Sequence, residues 1–236
     1  MKRTNLIQNE NLSQVTGTSS MSLRQAGRKA KVMMMIIVMG LLLSGCFIKS
    51  LYPFYTKKDI VYDTRIIGTW LDNDSSKWVI KQLIRWPIKP DSAYQVEIVD
   101  KDGKPGSFSA HLFRLNNQLY FDFYPNGKIG SNDLIDASIV LSHSLAKITY
   151  TGTHIKMQWF NEVWFEQLLN QNKIRIKNEK VEGGYLLTAS TAELQKFIIK
   201  YGNDPQAFKT DWGKNQKDKD QEALTFDLKK ISNEAN

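Results

Sequence analysis

The fold of this chain is decided by one stretch of alternating side chains, Gln118-Leu119-Tyr120-Phe121-Asp122-Phe123-Tyr124. In a β-strand, successive side chains point to opposite faces of the sheet. One face of this strand would therefore carry Leu119, Phe121 and Phe123, and the other would carry two tyrosines on either side of Asp122. Because both faces bear aromatic rings, we expect other parts of the protein to cover this strand on both sides.

The same period-two alternation dominates residues 65–151, and turn residues such as Asp102-Gly103 and Asn126-Gly127 interrupt it at fairly even intervals. This pattern is typical of an antiparallel sheet. It predicts strands at 65–71, 77–86, 92–100, 107–115, 118–124 and 139–151, and a hairpin turn leads on to a strand at 154–160. We therefore predict a mainly β fold built on an antiparallel sheet.

Two helices interrupt the strands in the second half of the chain. Asn161 can cap a helix over 161–170. Ser190 and Glu193 have the spacing of a capping box, and an apolar stripe at helical spacing follows them. An amphipathic helix over 190–201 is therefore predicted, and it should pack on the sheet or plug its end. Shorter patterns predict strands at 173–178, 185–187 and 223–231, and a second short helix from Asp204-Pro205.

A basic segment ending at Lys31 runs into 12 apolar residues, 32–43. About 20 residues are needed to span a bilayer, and small residues after a short apolar run are typical of a cleaved export signal. Leu43-Ser44-Gly45-Cys46 resembles the bacterial lipobox. The resemblance implies cleavage between Gly45 and Cys46 and acylation of the Cys46 thiol. A retained anchor helix is the alternative.

This leader divides the chain into four parts. They are a signal peptide at 1–45, an acylated anchor and aromatic tether at 46–64, a β-rich domain at 65–210, and a polar, mobile tail at 211–236 that contains the last strand. We expect the true start to be Met21, and a real cytoplasmic extension at 1–20 is the alternative. Two or three acyl chains suffice for stable anchoring, so the membrane is the first expected partner. Phe47 is not the aspartate that retains lipoproteins in the inner membrane of many Gram-negative bacteria. The lipobox resemblance therefore implies an envelope protein anchored in the outer membrane and facing the periplasm.

The net charge of +8 belongs mostly to the leader. Residues 1–45 hold six basic residues and one acidic residue, which leaves 26 basic and 23 acidic residues from Cys46 onward. The basic pI is therefore poor evidence for nucleic-acid binding, and we expect no nucleic-acid partner. Cys46 is the only cysteine, so its acylation would exclude an intramolecular disulfide and a thiol nucleophile.

Two resemblances extend into the mature part. The tether at 51–56, with Gly68-Thr69-Trp70 and the 186–197 segment, resembles a group of uncharacterised bacterial lipoproteins, which implies no activity. Gly68-x-Trp70 at the head of the strands is also similar to the first-strand motif of lipocalins. That resemblance implies a calycin-like closed barrel of eight strands around an apolar ligand, with a helix near the C-terminus. In lipocalins a basic residue from a late strand covers this tryptophan, and Arg175 is our candidate. A helix at 161–170, between strands, departs from the lipocalin order.

The chain shows no catalytic pattern. His111, His143 and His154 lack metal-ligand spacing, and neither a Walker loop nor a nucleotide-binding glycine motif is present. We therefore expect no enzyme, no cofactor and no metal. If the sheet closes, Trp70, Phe121, Phe123 and Trp159 are our candidates for lining a ligand pocket. Two functions stay open: a membrane-anchored protein that binds a lipid or other apolar ligand, and an envelope interaction or assembly module without a pocket, whose protein partner is unknown.

Overall fold

Eight antiparallel strands close into a barrel in the computed structural model, which describes residues 48–85, 89–127, 138–181, 184–208 and 225–235. The strands are β1 (Lys49–Ser50), β2 (Gly68–Leu71), β3 (Lys77–Arg85), β4 (Lys89–Val99), β5 (Pro105–Leu115), β6 (Gln118–Pro125), β7 (His143–Tyr150), β8 (His154–Trp159), β9 (Asn178–Val181), β10 (Gly184–Leu187) and β11 (Thr225–Ser232). The α-helices of the described residues are α1 (Glu162–Asn170) and α2 (Thr191–Tyr201). Strands β2 to β8 are sequential neighbours, and β11 closes the barrel by pairing with β8 and β2.

The closed barrel confirms the prediction of a mainly β, antiparallel fold. Each barrel strand overlaps a strand predicted from alternation, and the bounds differ by a few residues. The first strand begins at Gly68 instead of residue 65, because Thr64–Ile66 forms a 3-10 turn. The prediction at 173–178 is wrong: residues 173–177 form no strand, and β9 begins at Asn178.

Strand β6 is buried on both faces, as its alternation predicts. Phe121 and Phe123 point into the barrel and belong to an apolar cluster that we call the inner cluster. Tyr120 points outward and belongs to a second cluster, the outer cluster, with Phe113 of β5 and Leu145 of β7. The inner and outer clusters are therefore two cores that share the same strands.

The outer cluster is completed by the long connection between β8 and β11, which we call the insertion. This connection contains α1, the β9–β10 hairpin and α2, and they contribute Phe165, Tyr185 and Phe197 to the cluster. The predicted caps are present, since the side chains of Asn161 and Ser190 accept hydrogen bonds from backbone N–H groups of α1 and α2. The amphipathic helix is not C-terminal to the barrel, because β11 follows it. The short helix predicted from Asp204 is a turn.

The N-terminal part of the described chain docks on the barrel. The last β7–β8 pair joins Ala146 to Trp159, and β1 takes the next positions along the same edge of β7, with Lys49 opposite Ser144. Strand β10 then pairs in parallel with β1. Phe54 is buried in the outer cluster, so the aromatic segment packs on the domain.

Gly45, Cys46 and the rest of residues 1–47 lie outside the described residues, as does 209–224, which contains most of the polar tail. The signal peptide, the Met21 start and the mobility of the tail therefore stay predictions. Within the described ranges, no helix combines the length and the apolar character that a membrane crossing requires.

Candidate functional site

The barrel has a closed end, which the 3-10 turn Thr64–Ile66 covers. The indole Nε1 of Trp70 donates to the carbonyl oxygen of Ile66 at 3.0 Å, and the Tyr94 hydroxyl both donates to the Asp63 carbonyl oxygen at 3.1 Å and accepts from the Asp63 N–H at 2.7 Å. Gly68 has a φ of +142°, and a Cβ there would collide with the backbone carbonyl oxygen of Ser232. Only glycine therefore fits this position between the turn and the last strand.

Lys230 of β11 lies over Trp70 at this closed end. Its Nζ is 5.1 Å from the centre of the indole ring and donates to the carbonyl oxygen of Arg65 at 2.7 Å. Burial lowers the pKa of Lys230. Our assignment of Arg175 to this role was wrong, because Arg175 is exposed in the segment before β9. Lys230 lies directly opposite Trp70 in register, and the sequence alone did not reveal this pairing because it depends on how β11 closes the barrel.

The opposite end of the barrel carries half-buried apolar side chains. We call this end the mouth and define it by Ile98, Phe108, Trp159 and Phe226, which pack against the inner cluster. The connections β2–β3, β4–β5 and β6–β7 and the long insertion after β8 all leave the barrel at this end. Four of the connections, including the long one after β8, therefore lie at the mouth.

The structure brings together three of the four predicted pocket residues. The ring centres of Phe121 and Phe123 are 5.4 Å apart, and those of Phe123 and Trp159 are 5.2 Å apart. Phe121 and Phe123 are buried, whereas Trp159 is half-buried at the mouth. Trp70 is fully buried in the same cluster but lies at the closed end.

The four predicted pocket residues do not include Phe226 or Phe108. Phe226 lies between two tryptophans, with its ring 5.8 Å from that of Trp159 and 5.3 Å from that of Trp78. Phe108 contacts Phe123 edge-on at 6.0 Å. Both lie at ordinary alternating positions of their strands, so the signal that could have found them was the register across the closed barrel.

The rings of the inner cluster touch one another along the barrel. Tyr94 meets Phe121 edge-on at 5.8 Å, and the contacts from Phe121 to Phe123 and Trp159 continue this row to the mouth. Distances of 4.5–7 Å between ring centres are direct aromatic contacts. The interior is therefore occupied by side chains at the level of this row, and a ligand would meet the protein first at the mouth. No family model, curated protein or solved structure matches the chain.

The outer cluster shows a crevice lined by apolar residues, among them Phe54, Leu145 and Phe160. It has no room for a water molecule. Burial in this cluster raises the pKa of Tyr120 to about 12. This cluster therefore serves as packing between the barrel and its insertion.

One buried polar group, the carboxylate of Asp122, joins the N-terminal segment to the barrel. The fully buried carboxylate of Asp122 accepts a hydrogen bond from the Phe54 N–H at 2.8 Å, and its other oxygen lies 2.6 Å from Nδ1 of His143. The three histidines of the chain lie in different surroundings. His111 stacks on Tyr55, and His154 lies near Thr153 at the β7–β8 hairpin, so the three histidines do not converge.

Proposed function

We propose that the protein is an envelope lipoprotein, anchored through acylated Cys46, whose barrel binds the apolar part of a small ligand at its mouth. The observation that carries this proposal is the asymmetry of the barrel. The end at Trp70 is sealed by a turn and by Lys230, whereas the opposite end offers half-buried Trp159 and Phe226. Apolar surface left near a sheet interior is the usual feature of such ligand sites.

The closed end also supports a calycin-like relationship. The lipocalin resemblance implies a basic residue over the first-strand tryptophan, and Lys230 lies above Trp70. The insertion between β8 and β11 departs from the lipocalin order. We propose a barrel that binds in the manner of this group, with neither catalysis nor a cofactor, anchored in the outer membrane and without nucleic-acid partners.

Native mass spectrometry of the protein extracted from the membrane tests the proposal, before and after mild organic extraction. We expect a lipid-sized mass that extraction releases and that added lipid restores. Trp159→Ala and Phe226→Ala should each lower the bound fraction, because they remove apolar surface at the mouth. Tyr52→Ala, which removes a half-exposed ring outside the barrel, is the matched control.

The anchor is tested in the same spectra. We expect a chain that begins at Cys46 and carries the mass of two or three acyl groups. An unmodified cysteine, or a chain that still contains residues 39–45, would exclude the acylated anchor without bearing on the mouth.

A second candidate function follows from the filled interior. The contacting rings from Tyr94 to Trp159 leave the inner cluster packed at their level, which favours an interaction module that has a solid core. In this case a bare chain would emerge from the membrane and would ignore added lipid. The same mouth residues would then form a contact surface for a protein, and alanine variants at the mouth would not change any bound mass.

A further inference from the structure

A basic groove runs between α2 and the extended segment 173–177. Its volume is about 400 Å³, which lies in the range of pockets that hold small molecules. Five of its ten lining residues are basic, and only Glu193 is acidic. The groove is separate from the mouth, because none of its lining residues belongs to the inner cluster.

One wall of the groove follows from the alternation of Lys173-Ile174-Arg175-Ile176-Lys177. Ile174 is buried in the outer cluster and Ile176 packs against it, whereas the three cations are exposed. In an extended chain every second side chain lies on the same side, about 7 Å apart. This wall is therefore a row of three regularly spaced positive charges above an apolar base.

The other wall is the exposed face of α2. Lys196 and Lys200 are four residues apart, so they lie one above the other on the helix. Phe197 and Tyr201 contribute apolar surface between the walls. The Tyr201 hydroxyl donates to the carbonyl oxygen of Lys173 at 3.3 Å, which holds the two walls together.

The positive charges of the groove outnumber its one carboxylate, that of Glu193, whose negative charge interacts with Lys177 and Lys196. Within the described part of the chain, none of the five cations lies within ion-pair distance of an acidic group, although Lys180 pairs with Glu166 at 2.9 Å. The carboxylate of Glu193 also accepts hydrogen bonds from the N–H and hydroxyl of Ser190 at 2.9 and 2.7 Å, at the start of α2. The groove therefore combines an excess of positive charge with an apolar floor.

We infer that this groove binds a small amphiphilic anion, a molecule with one phosphate or carboxylate group and an apolar tail. The anionic group can accept charge-assisted hydrogen bonds from these cations, which are stronger than hydrogen bonds between neutral groups. The tail fits on the apolar surface of the partly buried Ile176 and Tyr201. A purely ionic ligand would leave this surface in water, and a purely apolar one would make no use of the excess positive charge.

Isothermal titration of the purified full chain with octyl phosphate tests this inference. Inorganic phosphate and octyl glucoside serve as probes for the charged half and the apolar half alone. We expect octyl phosphate to bind one site at least about tenfold more tightly than either probe, and added salt to weaken it because the charges are exposed. Equal binding of octyl glucoside would overturn the inference, as would the absence of octyl phosphate binding.

The paired variant K196E/K200E locates the site, and we expect it to weaken octyl phosphate binding by at least about tenfold. K101E/K104E, which reverses two exposed lysines of the β4–β5 turn, should bind as the unmodified protein does. Thermal unfolding checks that both variants are folded. Unchanged affinity in K196E/K200E would exclude the groove.

Two further measurements identify the source of the anion and separate this site from the mouth. Trp159→Ala should leave octyl phosphate binding unchanged, whereas a loss of binding there would place the ligand at the mouth and overturn the inference. Vesicles of phosphatidylglycerol should compete with octyl phosphate if the groove can take the headgroup from a bilayer, and should not compete if it takes only free amphiphiles. Vesicle binding that octyl phosphate fails to displace would contradict a small-molecule site.

Discussion

The inner and outer clusters lie on opposite faces of the same strands, yet they are assembled in different ways. The inner cluster comes almost entirely from alternating positions of consecutive barrel strands, such as Phe121 and Phe123. The outer cluster joins segments far apart in the chain, since Phe54, Phe165 and Phe197 meet there. One core follows from local pattern, and the other depends on how distant segments dock.

This difference predicts how each core responds to damage. A cavity in the inner cluster should weaken the strand pairings of the whole barrel, because every strand contributes to it. A cavity in the outer cluster should loosen first the insertion that depends on it.

Phe121→Ala and Phe165→Ala create cavities in the inner and outer clusters, respectively. Both rings are almost completely buried, so each change should lower the free energy of unfolding by about 3–5 kcal/mol. Urea denaturation measures the loss, and amide hydrogen exchange shows where it acts. We expect Phe121→Ala to lower protection throughout the barrel, and Phe165→Ala to lower it mainly in α1, α2 and β9–β10. Identical protection patterns would show one cooperative core instead of two.

Asp122→Ala removes the buried carboxylate that joins the N-terminal segment to the barrel. The Phe54 N–H and the His143 ring would both lose their buried partner, which should cost about 2–4 kcal/mol. Asp102→Ala, at an exposed turn, is the control and should change stability by less than about 0.5 kcal/mol. Faster proteolysis near Pro53 in Asp122→Ala would show that the N-terminal segment is released. Equal losses of stability in Asp122→Ala and Asp102→Ala would mean that Asp122 does not hold the N-terminal segment on the barrel.

Lys230→Met tests the closed end of the inner cluster. The variant loses the hydrogen bond to Arg65 and the cationic contact with Trp70, so we expect a loss of about 1–2 kcal/mol in thermal or urea unfolding. Lys229→Met is a matched control, because this neighbour on β11 is exposed. Lys230→Arg should recover part of the loss. If both methionine variants are equally stable, the seal contributes nothing.

Glu162→Gln probes the edge of the insertion through pH. Burial and the neighbouring Glu166 raise the pKa of Glu162 to about 7 from an ordinary value of 4.5. The folded state therefore holds this proton more tightly than the unfolded state, and the unmodified protein should lose stability as the pH rises from about 4.5 through 7. At pH 8 the variant should be more stable by about 1 kcal/mol, a value reduced for solvent screening because the side chain is only half-buried.

Glu166→Gln provides the opposite sign. The hydrogen bonds from Lys180 and Tyr185 lower the pKa of Glu166, so its contribution is present at neutral pH and is lost on acidification. Unfolding curves between pH 4 and pH 8 compare the two variants. Parallel pH dependence in both would rule out the assignment of Glu162.

The sequence predicts the inner cluster well because strand alternation is a local property. The pattern at 118–124 already assigns Phe121 and Phe123 to one face, and the caps at Asn161 and Ser190 place the helices. The misses concern contacts across long separations. Lys230 lies opposite Trp70 only because β11 closes the barrel, and Asp122 meets Phe54 only because the N-terminal segment docks on β6. The sequence did not reveal the basic groove for the same reason. Residues 173–177 show the alternation of a strand, and only the fold places α2 beside them.

If Cys46 is acylated, the docking of β1 limits how far the barrel can move from the bilayer. Cys46 is two residues before Ile48, and two residues span at most about 7 Å when fully extended. An acylated Cys46 would therefore be a short tether, because β1 is hydrogen-bonded to both β7 and β10 and leaves little free chain before it. The barrel would sample a thin layer next to the lipid headgroups, with a restricted set of orientations. The barrel would therefore meet any partner or amphiphile within that layer, close to the membrane surface that lipids leave.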